Sequence, residues 1–297
     1  MRSGWLLLAG FAAVALTGCG LTTGIQRSET KIEVVAAENF WGSIAGQLGG
    51  DKVAVTSIIS NPDTDPHSYE ATPQDARLIA TASYVIVNGA GYDPWAPKLA
   101  AANPVSGRVL LDVGVLNGVQ EGGNPHMWYS PAYVTRVFDR ITADLKQLDS
   151  ADSAYFDQQN MAYKNTSLKE YDGTIAAIKQ KYSRVSVGAT ESIFAYMAPA
   201  LGLNLITPVE YMKAISEGTD PSAADKATVD QQVASRQIKV LVFNSQNSTP
   251  DVQSLVNKAR AQGIPVVQIT ETLSPAGATF QDWQTKQLQA LLTALGG

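Results

Sequence analysis

The sequence predicts an α/β protein of two lobes, each a small, mostly parallel β-sheet flanked by helices, joined by one long backbone helix. Two observations predict the lobes. Short β-branched runs alternate with helix-compatible segments in the first half of the 297 residues, and the same rhythm returns in the second half. A third observation predicts the connecting helix, because a long segment between the halves contains no proline and almost no glycine.

We place the first lobe at residues 32–152. Four short runs rich in β-branched residues predict strands, and two segments between them favour helices. Parallel neighbours in a sheet require a crossover connection, which this alternation supplies. The predicted strands are 32–37, 53–59, 84–88 and 108–113, and the predicted helices are 41–48 and 73–81.

We place the second lobe at residues 184–297, where the same alternation predicts four further strands and four helices. The sheet of this lobe is therefore also expected to be parallel. The predicted strands are 184–188, 204–208, 239–244 and 265–270, and the predicted helices are 194–201, 224–236, 251–262 and 281–295.

The linking helix is expected at residues 153–183. Its apolar side chains recur at intervals of three and four residues, the spacing of one helical face. A helix over 154–182, the proline-free stretch, would be about 43 Å long and would join the lobes stiffly. Two helices with a kink near Gly173 are the alternative. The apolar positions are Leu168, Tyr171, Ile175, Ile178 and Tyr182.

Residues 1–18 have the pattern of a lipoprotein signal peptide. The apolar run at 5–16 is shorter than the roughly 20 residues that span a bilayer. The sequence Leu-Thr-Gly-Cys at 16–19 is typical of a bacterial lipobox. We therefore expect an exported protein, lipid-anchored through Cys19 to the outer face of the cell membrane or in the periplasm, with 19–31 as a flexible tether. An ordinary signal peptide that happens to contain a cysteine is the alternative.

The composition excludes several classes of function. Lysine and arginine total 22 against 27 aspartate and glutamate, a net charge of −5, so we expect no nucleic-acid partner. The one cysteine excludes an intrachain disulfide and a cysteine-based zinc cluster. No later stretch approaches 18 consecutive apolar residues, so we expect the rest of the chain to be soluble. We also expect the protein to be a monomer.

The chain has two histidines, and both lie in the same short motif. His67 and His126 each follow a proline and stand two positions before an aromatic residue. Proline restricts its own backbone and that of the preceding residue, so each histidine is presented on a stiffened loop. Stiff presentation suits a metal ligand, and the alternative is two histidines without a function. Two imidazoles make an incomplete site, so we expect the second lobe to supply carboxylates.

Four segments carry a resemblance to a known family. They are Asp65-Pro-His-Ser-Tyr-Glu70, Asn124-Pro-His-Met-Trp128, Ala189-Thr-Glu-Ser-Ile-Phe-Ala-Tyr196 and Thr270-Glu-Thr-Leu273. With them, the chain from about residue 32 onward resembles the cluster A-I periplasmic solute-binding proteins, which deliver zinc or manganese to ABC permeases. The two Pro-His motifs are the specific part of this resemblance.

The resemblance implies that Glu191 is the third metal ligand and Glu271 the fourth, beside His67 and His126. Family members with glutamate at the position of Glu191 are similar to the manganese-type branch. Three departures weaken a zinc assignment: Glu271 stands where relatives have aspartate, Asn244 where many have an acid, and the His-rich loop of many zinc members is absent.

The residues themselves leave alternatives open for both glutamates. Glu191 follows Thr190 at a predicted strand-to-helix transition, where a carboxylate also serves as a helix cap. Glu271 follows a predicted strand at its carboxyl end, where ligands of open α/β sheets bind. The alternative is that Glu271 is a solvated loop acid. We expect the nearby acids to be solvated or to support the ligands; they are Asp65, Glu70, Glu210 and Glu217.

Function follows from this ligand set. Two imidazoles and two carboxylates neutralise a divalent ion, and carboxylates favour Mn²⁺ slightly over Zn²⁺ as the cargo. Four protein ligands close the shell, which favours carriage over catalysis. We therefore expect a non-enzymatic binding protein that delivers the ion to an ABC permease. The alternatives are a surface adhesin or interaction protein, and an exported metallohydrolase, although no His-Glu-x-x-His motif is present.

Overall fold

The computed structural model describes residues 1, 31–62, 64, 66 and 69–296. The predicted signal peptide and Cys19 lie outside the described residues. Residues Lys31–Gly297 form one compact unit. Among the helices that are described, none combines the length and the apolar character needed to cross a membrane.

The first half contains the predicted parallel sheet. Its strands lie in the order β2-β1-β3-β4, and every neighbouring pair is parallel. The central pair is buried on both faces except at Glu33, as expected for strands covered on both sides by helices. The strands are β1 (Ile32–Glu38), β2 (Val53–Ile59), β3 (Tyr84–Val87) and β4 (Val109–Asp112).

Among the residues that the structure describes, five α-helices accompany this sheet, three more than the sequence analysis assigned. The largest addition is the helix at Pro131–Leu148, whose start has a clear signal. The Ser130 hydroxyl caps it by accepting from the N–H of Tyr133, and proline occupies the first helical position. The helices are α1 (Asn39–Gly49), α2 (Pro73–Thr81), α3 (Trp95–Ala102), α4 (Val113–Asn117) and α5 (Pro131–Leu148).

The linking segment is helical, with one irregular turn. It consists of α6 (Ser153–Ala162), a π-helical turn at Tyr163–Ser167 and α7 (Lys169–Tyr182). The irregularity lies where the buried Tyr163 ring packs edge-on against Phe138 of α5. The segment is divided into two helices, as the alternative expected, but the division lies at Tyr163–Ser167 and not near Gly173, through which α7 runs without interruption. The lobe boundaries at 32–152, 153–183 and 184–297 stay a prediction.

The second half repeats the architecture of the first. Its strands lie in the order β6-β5-β7-β8 and are again all parallel, which confirms the predicted fold class. The strands are β5 (Ser186–Ala189), β6 (Asn204–Leu205), β7 (Leu241–Asn244) and β8 (Val266–Ile269).

The helices of the second half differ from expectation in two places. The predicted helix 194–201 is divided into a 3₁₀ turn at Ser192–Ala195 and a short α-helix. An additional helix follows Pro208. The helices are α8 (Met197–Ala200), α9 (Val209–Ser216), α10 (Ala223–Ala234), α11 (Pro250–Ala261) and α12 (Phe280–Gly296).

One apolar core runs through both halves. Helix α12 packs along α7, against β8 and against α1, so it contacts elements of both halves. Its Trp283 and Phe280 rings pack edge-on, and Trp283 also meets Tyr129 of the first half. Because Lys31–Gly297 contains both sheets and this continuous core, we expect that segment to fold without the N-terminal residues.

Candidate metal centre

The site lies where the carboxyl ends of the two sheets meet. Glu191 stands two residues after β5 and Glu271 two residues after β8, while His126 comes from the loop between α4 and α5. Ligands of open parallel sheets bind at this end, because loops from several strands converge there. The position predicted for both glutamates at strand ends is therefore correct.

Three predicted ligands come together. Ligand atoms of His126, Glu191 and Glu271 all lie within 4.8 Å of one another. The residues are 0%, 0% and 1% exposed, respectively. His126 Nε2 lies 3.9 Å from Glu271 Oε2. A dry cluster of one imidazole and two carboxylates is costly unless a cation or hydrogen-bond donors compensate the charges.

Asn124 orients the imidazole of His126. Its Nδ2 donates to the Ser192 carbonyl at 2.8 Å, so its Oδ1 is the acceptor that faces the histidine. This oxygen lies 2.7 Å from His126 Nδ1 and also accepts from the His126 N–H at 3.1 Å. In the neutral imidazole the proton is thereby assigned to Nδ1, and Nε2, on the side of Glu271, is the unprotonated nitrogen.

Aromatic rings restrict the histidine further. Trp128 and Tyr92 meet the imidazole edge-on, at centroid distances of 5.2 and 6.2 Å. Phe40 of α1 stacks on Trp128 at a centroid distance of 4.0 Å, and both rings belong to the apolar core. The core therefore fixes the Trp128 ring against which the imidazole packs. The aromatic residue of the Pro-His-x-aromatic motif, Trp128, therefore holds the His126 ring in place.

Glu191 is held by two amide side chains. Asn247 Nδ2 donates to Oε2 at 2.8 Å, and Asn244 Nδ2 donates to Oε1. The carboxylate makes no capping bond to the 3₁₀ turn that follows it, so the helix-cap alternative is wrong. Glu191 is instead oriented inward, toward the cluster.

Glu271 is held in the same way. Tyr92 donates its hydroxyl to Oε2 at 2.6 Å, and Asn244 Nδ2 donates to Oε1 at 2.8 Å. The residue is buried, so the alternative of a solvated loop acid is also wrong. Asn244 thus bridges the two carboxylates, which gives a physical role to the position where the sequence departs from the acidic residue of many relatives.

The remaining predicted positions divide into two groups. His67 and Asp65 lie outside the described residues, so the structure adds nothing about them. Glu70, Glu210 and Glu217 are exposed, as expected for acids that are not ligands. The last two line a cleft of about 710 Å³ that also reaches Asn124 and Ser192 beside the histidine.

Sequence reasoning missed three polar residues that hold the two glutamates. Tyr92 and Asn247 donate to the carboxylates and Gln246 accepts from the N–H of Glu271; all three lie in loops after strands. A signal was available, because Asn-Ser-Gln-Asn at 244–247 begins at the carboxyl end of a predicted strand. The same strand-end rule that selected Glu271 applies to this run.

A second buried acid pair lies beneath the site. Burial, followed by the charge of Asp93, raises the pKa of Glu38 well above its ordinary value. Burial also raises the pKa of Asp93 to about 6, although N–H groups of Gly89 and Asn88 lower it. Asn88 Nδ2 in turn donates to the Pro125 carbonyl at 3.0 Å, so this pair supports the loop that carries His126.

The fold and the cluster define a metal-binding substrate-binding protein. Residues 34–294 match the family model described as "Zinc-uptake complex component A periplasmic" (ZnuA), and the chain belongs to this family. It is therefore a substrate-binding component of an ABC metal uptake system, as predicted, and not an enzyme.

Curated relatives agree with the family. The chain is 27% identical over 284 residues to the manganese-binding lipoprotein MntA of Bacillus subtilis (strain 168), covering 89% of this chain and 87% of the relative. It is 23% identical to the high-affinity zinc uptake system protein ZnuA of the same organism, covering 98% and 96%. It is 26% identical to the manganese ABC transporter substrate-binding lipoprotein PsaA of Streptococcus pneumoniae serotype 4, covering 84% and 83%.

Solved structures have the same fold. The Mn-bound periplasmic metal binding protein from Candidatus Liberibacter asiaticus superposes with a TM-score of 0.73 at 19% identity, covering 90% of this chain and 100% of that chain. A crystal structure of ZnuA superposes with a TM-score of 0.69 at 23% identity, covering 90% and 98%. Two parallel sheets flanked by helices are thus the architecture of this protein.

Proposed function

We propose that this protein captures one Mn²⁺ or Zn²⁺ ion as cargo between its two halves and delivers it to an ABC permease. The buried cluster of His126, Glu191 and Glu271 is the observation that carries this proposal. Its donor set of one imidazole nitrogen and carboxylate oxygens suits divalent first-row ions.

The surroundings of the carboxylates support a site prepared for a cation. Asn244, Asn247 and Tyr92 supply neutral donors to the carboxylate oxygens, which compensates their charge when no ion is bound. A carboxylate oxygen has two lone pairs, so an oxygen that accepts one hydrogen bond can also bind a metal. These donors also hold the carboxylates in position, so little ordering remains to be done when the ion binds.

We propose His67 as the fourth ligand. Support comes from its motif, Pro-His-x-aromatic, which it shares with His126. The described part of its loop is anchored near the cluster, because the Pro62 carbonyl accepts a hydrogen bond from Gln246, which also binds the backbone of Glu271. Two imidazoles and two carboxylates would neutralise the ion and close its shell.

We propose Mn²⁺ as the slightly preferred cargo. Two carboxylates of four ligands favour a harder ion than a site richer in imidazole does. The names of two relatives, a manganese-binding and a manganese transporter lipoprotein, point the same way, whereas a third is a zinc uptake protein. Because Mn²⁺ is the weakest binder in the general affinity order, Zn²⁺ remains the competing ion in vitro.

We also propose that the chain acts as a monomer outside the cytoplasm, held to the membrane by a lipid on Cys19. The lipobox pattern at 16–19 supports the anchor, and relatives named as lipoproteins support it by analogy. An anchored carrier stays near the permease, which raises its effective concentration there.

The test is a thermal melt of the Lys31–Gly297 segment, stripped with chelator, with and without Mn²⁺ or Zn²⁺. An ion at 100 times its Kd adds about 2.7 kcal/mol to the free energy of unfolding. We expect this gain in the parent protein and in Glu210→Gln, an exposed acid outside the cluster. His126→Ala and Glu191→Gln should lose most of it. Equal gains in all four proteins would place the metal elsewhere, and no gain in the parent would refute the function.

A further inference from the structure

One side chain joins the loop after β2 to the loop after β8. Gln246 Oε1 accepts from the N–H of Glu271 at 2.6 Å and of Thr272 at 3.0 Å. Its Nε2 donates to the Pro62 carbonyl at 2.6 Å and to Thr272 Oγ1 at 2.9 Å, with the Thr64 carbonyl at 3.3 Å. Residues 62 and 271 come from opposite halves of the chain, so Gln246 bridges the halves beside the metal cluster.

The backbone of the same residue orients Asn244. The Gln246 N–H donates to Asn244 Oδ1 at 3.0 Å. This bond turns the Asn244 Nδ2 group toward Glu191 and Glu271, because an amide with its oxygen engaged presents its N–H groups on the other side. Gln246 therefore acts on Glu271 through the backbone N–H of that residue and through Asn244, and it acts on Glu191 through Asn244.

The bonding capacity of the Gln246 amide is filled. Its oxygen takes two N–H donors, and its two hydrogens serve the short contacts to Pro62 and Thr272. A saturated amide has one favourable rotamer and one orientation. It therefore acts as a rigid connection between the loops that it touches.

We propose that Gln246 is a positioning residue that sets the rate at which the metal leaves. This inference rests on the proposed function. For the ion to dissociate, Glu271 must move away from it, and the two hydrogen bonds from Gln246 Oε1 restrain the backbone of Glu271 and its neighbour. Differences in affinity among variants of one site appear mostly in the dissociation rate. We therefore expect a substitution of Gln246 to change the rate at which the metal dissociates.

The first experiment compares Gln246→Met with Gln231→Met in the Lys31–Gly297 segment. Methionine has a similar length but none of the donors and acceptors. Gln231 is an exposed residue of α10 whose side chain donates to Ser235 one turn later, far from the cluster in sequence, so it is a matched control. After loading with Mn²⁺ and mixing with excess chelator, Gln246→Met should release the ion about tenfold faster, the effect of losing one to two net hydrogen bonds. Gln231→Met should match the parent, and equal release from all three proteins would overturn the proposal.

The second experiment separates positioning from general destabilisation. Gln246→Glu keeps an acceptor for the Glu271 and Thr272 N–H groups but has no donor for the Pro62 and Thr64 carbonyls at neutral pH. In hydrogen exchange of the metal-free protein, these two amides should stay protected in Gln246→Glu while a peptide of residues 60–66 exchanges faster. In Gln246→Met both regions should exchange faster.

The two experiments also separate the inference from the function on which it rests. If the parent binds neither Mn²⁺ nor Zn²⁺, the proposed function fails, and exchange alone decides whether Gln246 positions the loops. If the parent binds metal and the exchange of both regions is unchanged in both variants, Gln246 does not position them. Gln246→Glu also serves as the test should Gln246→Met not fold.

Discussion

At the scale of single residues, the amide of Asn244 decides how two buried carboxylates coexist. It donates to Glu191 and Glu271 and leaves both oriented toward His126. A neutral donor at this position compensates negative charge without competing with a cation. An acid there would add a third charge to a dry site, at a cost that only a bound metal offsets.

We therefore expect Asn244→Asp to lower the free energy of unfolding of the metal-free protein and to increase the stabilisation that a bound metal adds. The metal-free protein should lose about 2 kcal/mol of unfolding free energy, because two hydrogen bonds are replaced by repulsion. Melting of chelated and Mn²⁺-loaded protein measures both effects. Asn204→Asp, at an exposed position of β6, is the control and should change neither. Unchanged melting of metal-free Asn244→Asp would contradict this account of the bridge.

The ion preference is also decided by single residues. Replacing Glu191 with histidine exchanges a carboxylate for an imidazole, which favours Zn²⁺ over Mn²⁺. We expect the ratio of Zn²⁺ to Mn²⁺ affinity in Glu191→His to rise by about tenfold or more, as measured by competition with a chelator of known affinity. A ratio equal to that of the parent would mean that Glu191 does not contact the ion.

At the scale of elements, the loop after β3 is built on the acid pair of Glu38 and Asp93. Both acids have a pKa above the ordinary value, chiefly because they are buried. The folded state thus binds protons more readily than the unfolded chain. Their stabilising contribution is complete below about pH 4, the ordinary range of these acids, and is lost as the pH rises through about 6, the pKa of Asp93.

Glu38→Gln tests this pH dependence. Glutamine is neutral throughout, so the variant should gain stability relative to the parent as the pH rises from 4.5 to 7, by about 1–3 kcal/mol. Urea unfolding of the metal-free protein at several pH values measures the difference. Glu33→Gln, an exposed position on the same strand, should follow the parent at every pH. A constant offset between Glu38→Gln and the parent would show that the pKa of Glu38 is the same in the folded and unfolded states.

At the scale of the whole molecule, the continuous core limits how far the halves move. Helix α12 contacts α7, β8 and α1, and Trp283 meets Tyr129 across the halves. The Tyr129 hydroxyl also donates to the Thr270 carbonyl at 2.8 Å, beside the loop of Glu271. A packed core of this kind does not slide continuously, because each displacement opens voids and breaks contacts.

We therefore expect metal binding to order loops near the site and not to swing one half against the other. Small-angle X-ray scattering of metal-free and Mn²⁺-loaded protein should give radii of gyration that agree within about 0.5 Å, on the scale of roughly 19 Å for a compact chain of this length. Hydrogen exchange should change in the loops after β2, β7 and β8. A rotation of many degrees between the halves, seen in paired structures, would refute this expectation.

The sequence by itself determined the fold class, the eight strands and the residue types of the site. Periodic β-branched runs are local signals. The same is true of the Pro-His motifs, the strand-end glutamates and the family resemblance, because each depends on residues that are close together in the sequence. Only the tertiary structure decided that Glu191 is not a cap, that Glu271 is buried, and that Asn244 and Gln246 connect loops far apart in the chain. The physical reason is that burial and side-chain hydrogen bonds depend on which loops contact each other in the folded protein. The spacing of residues along the sequence does not specify those contacts.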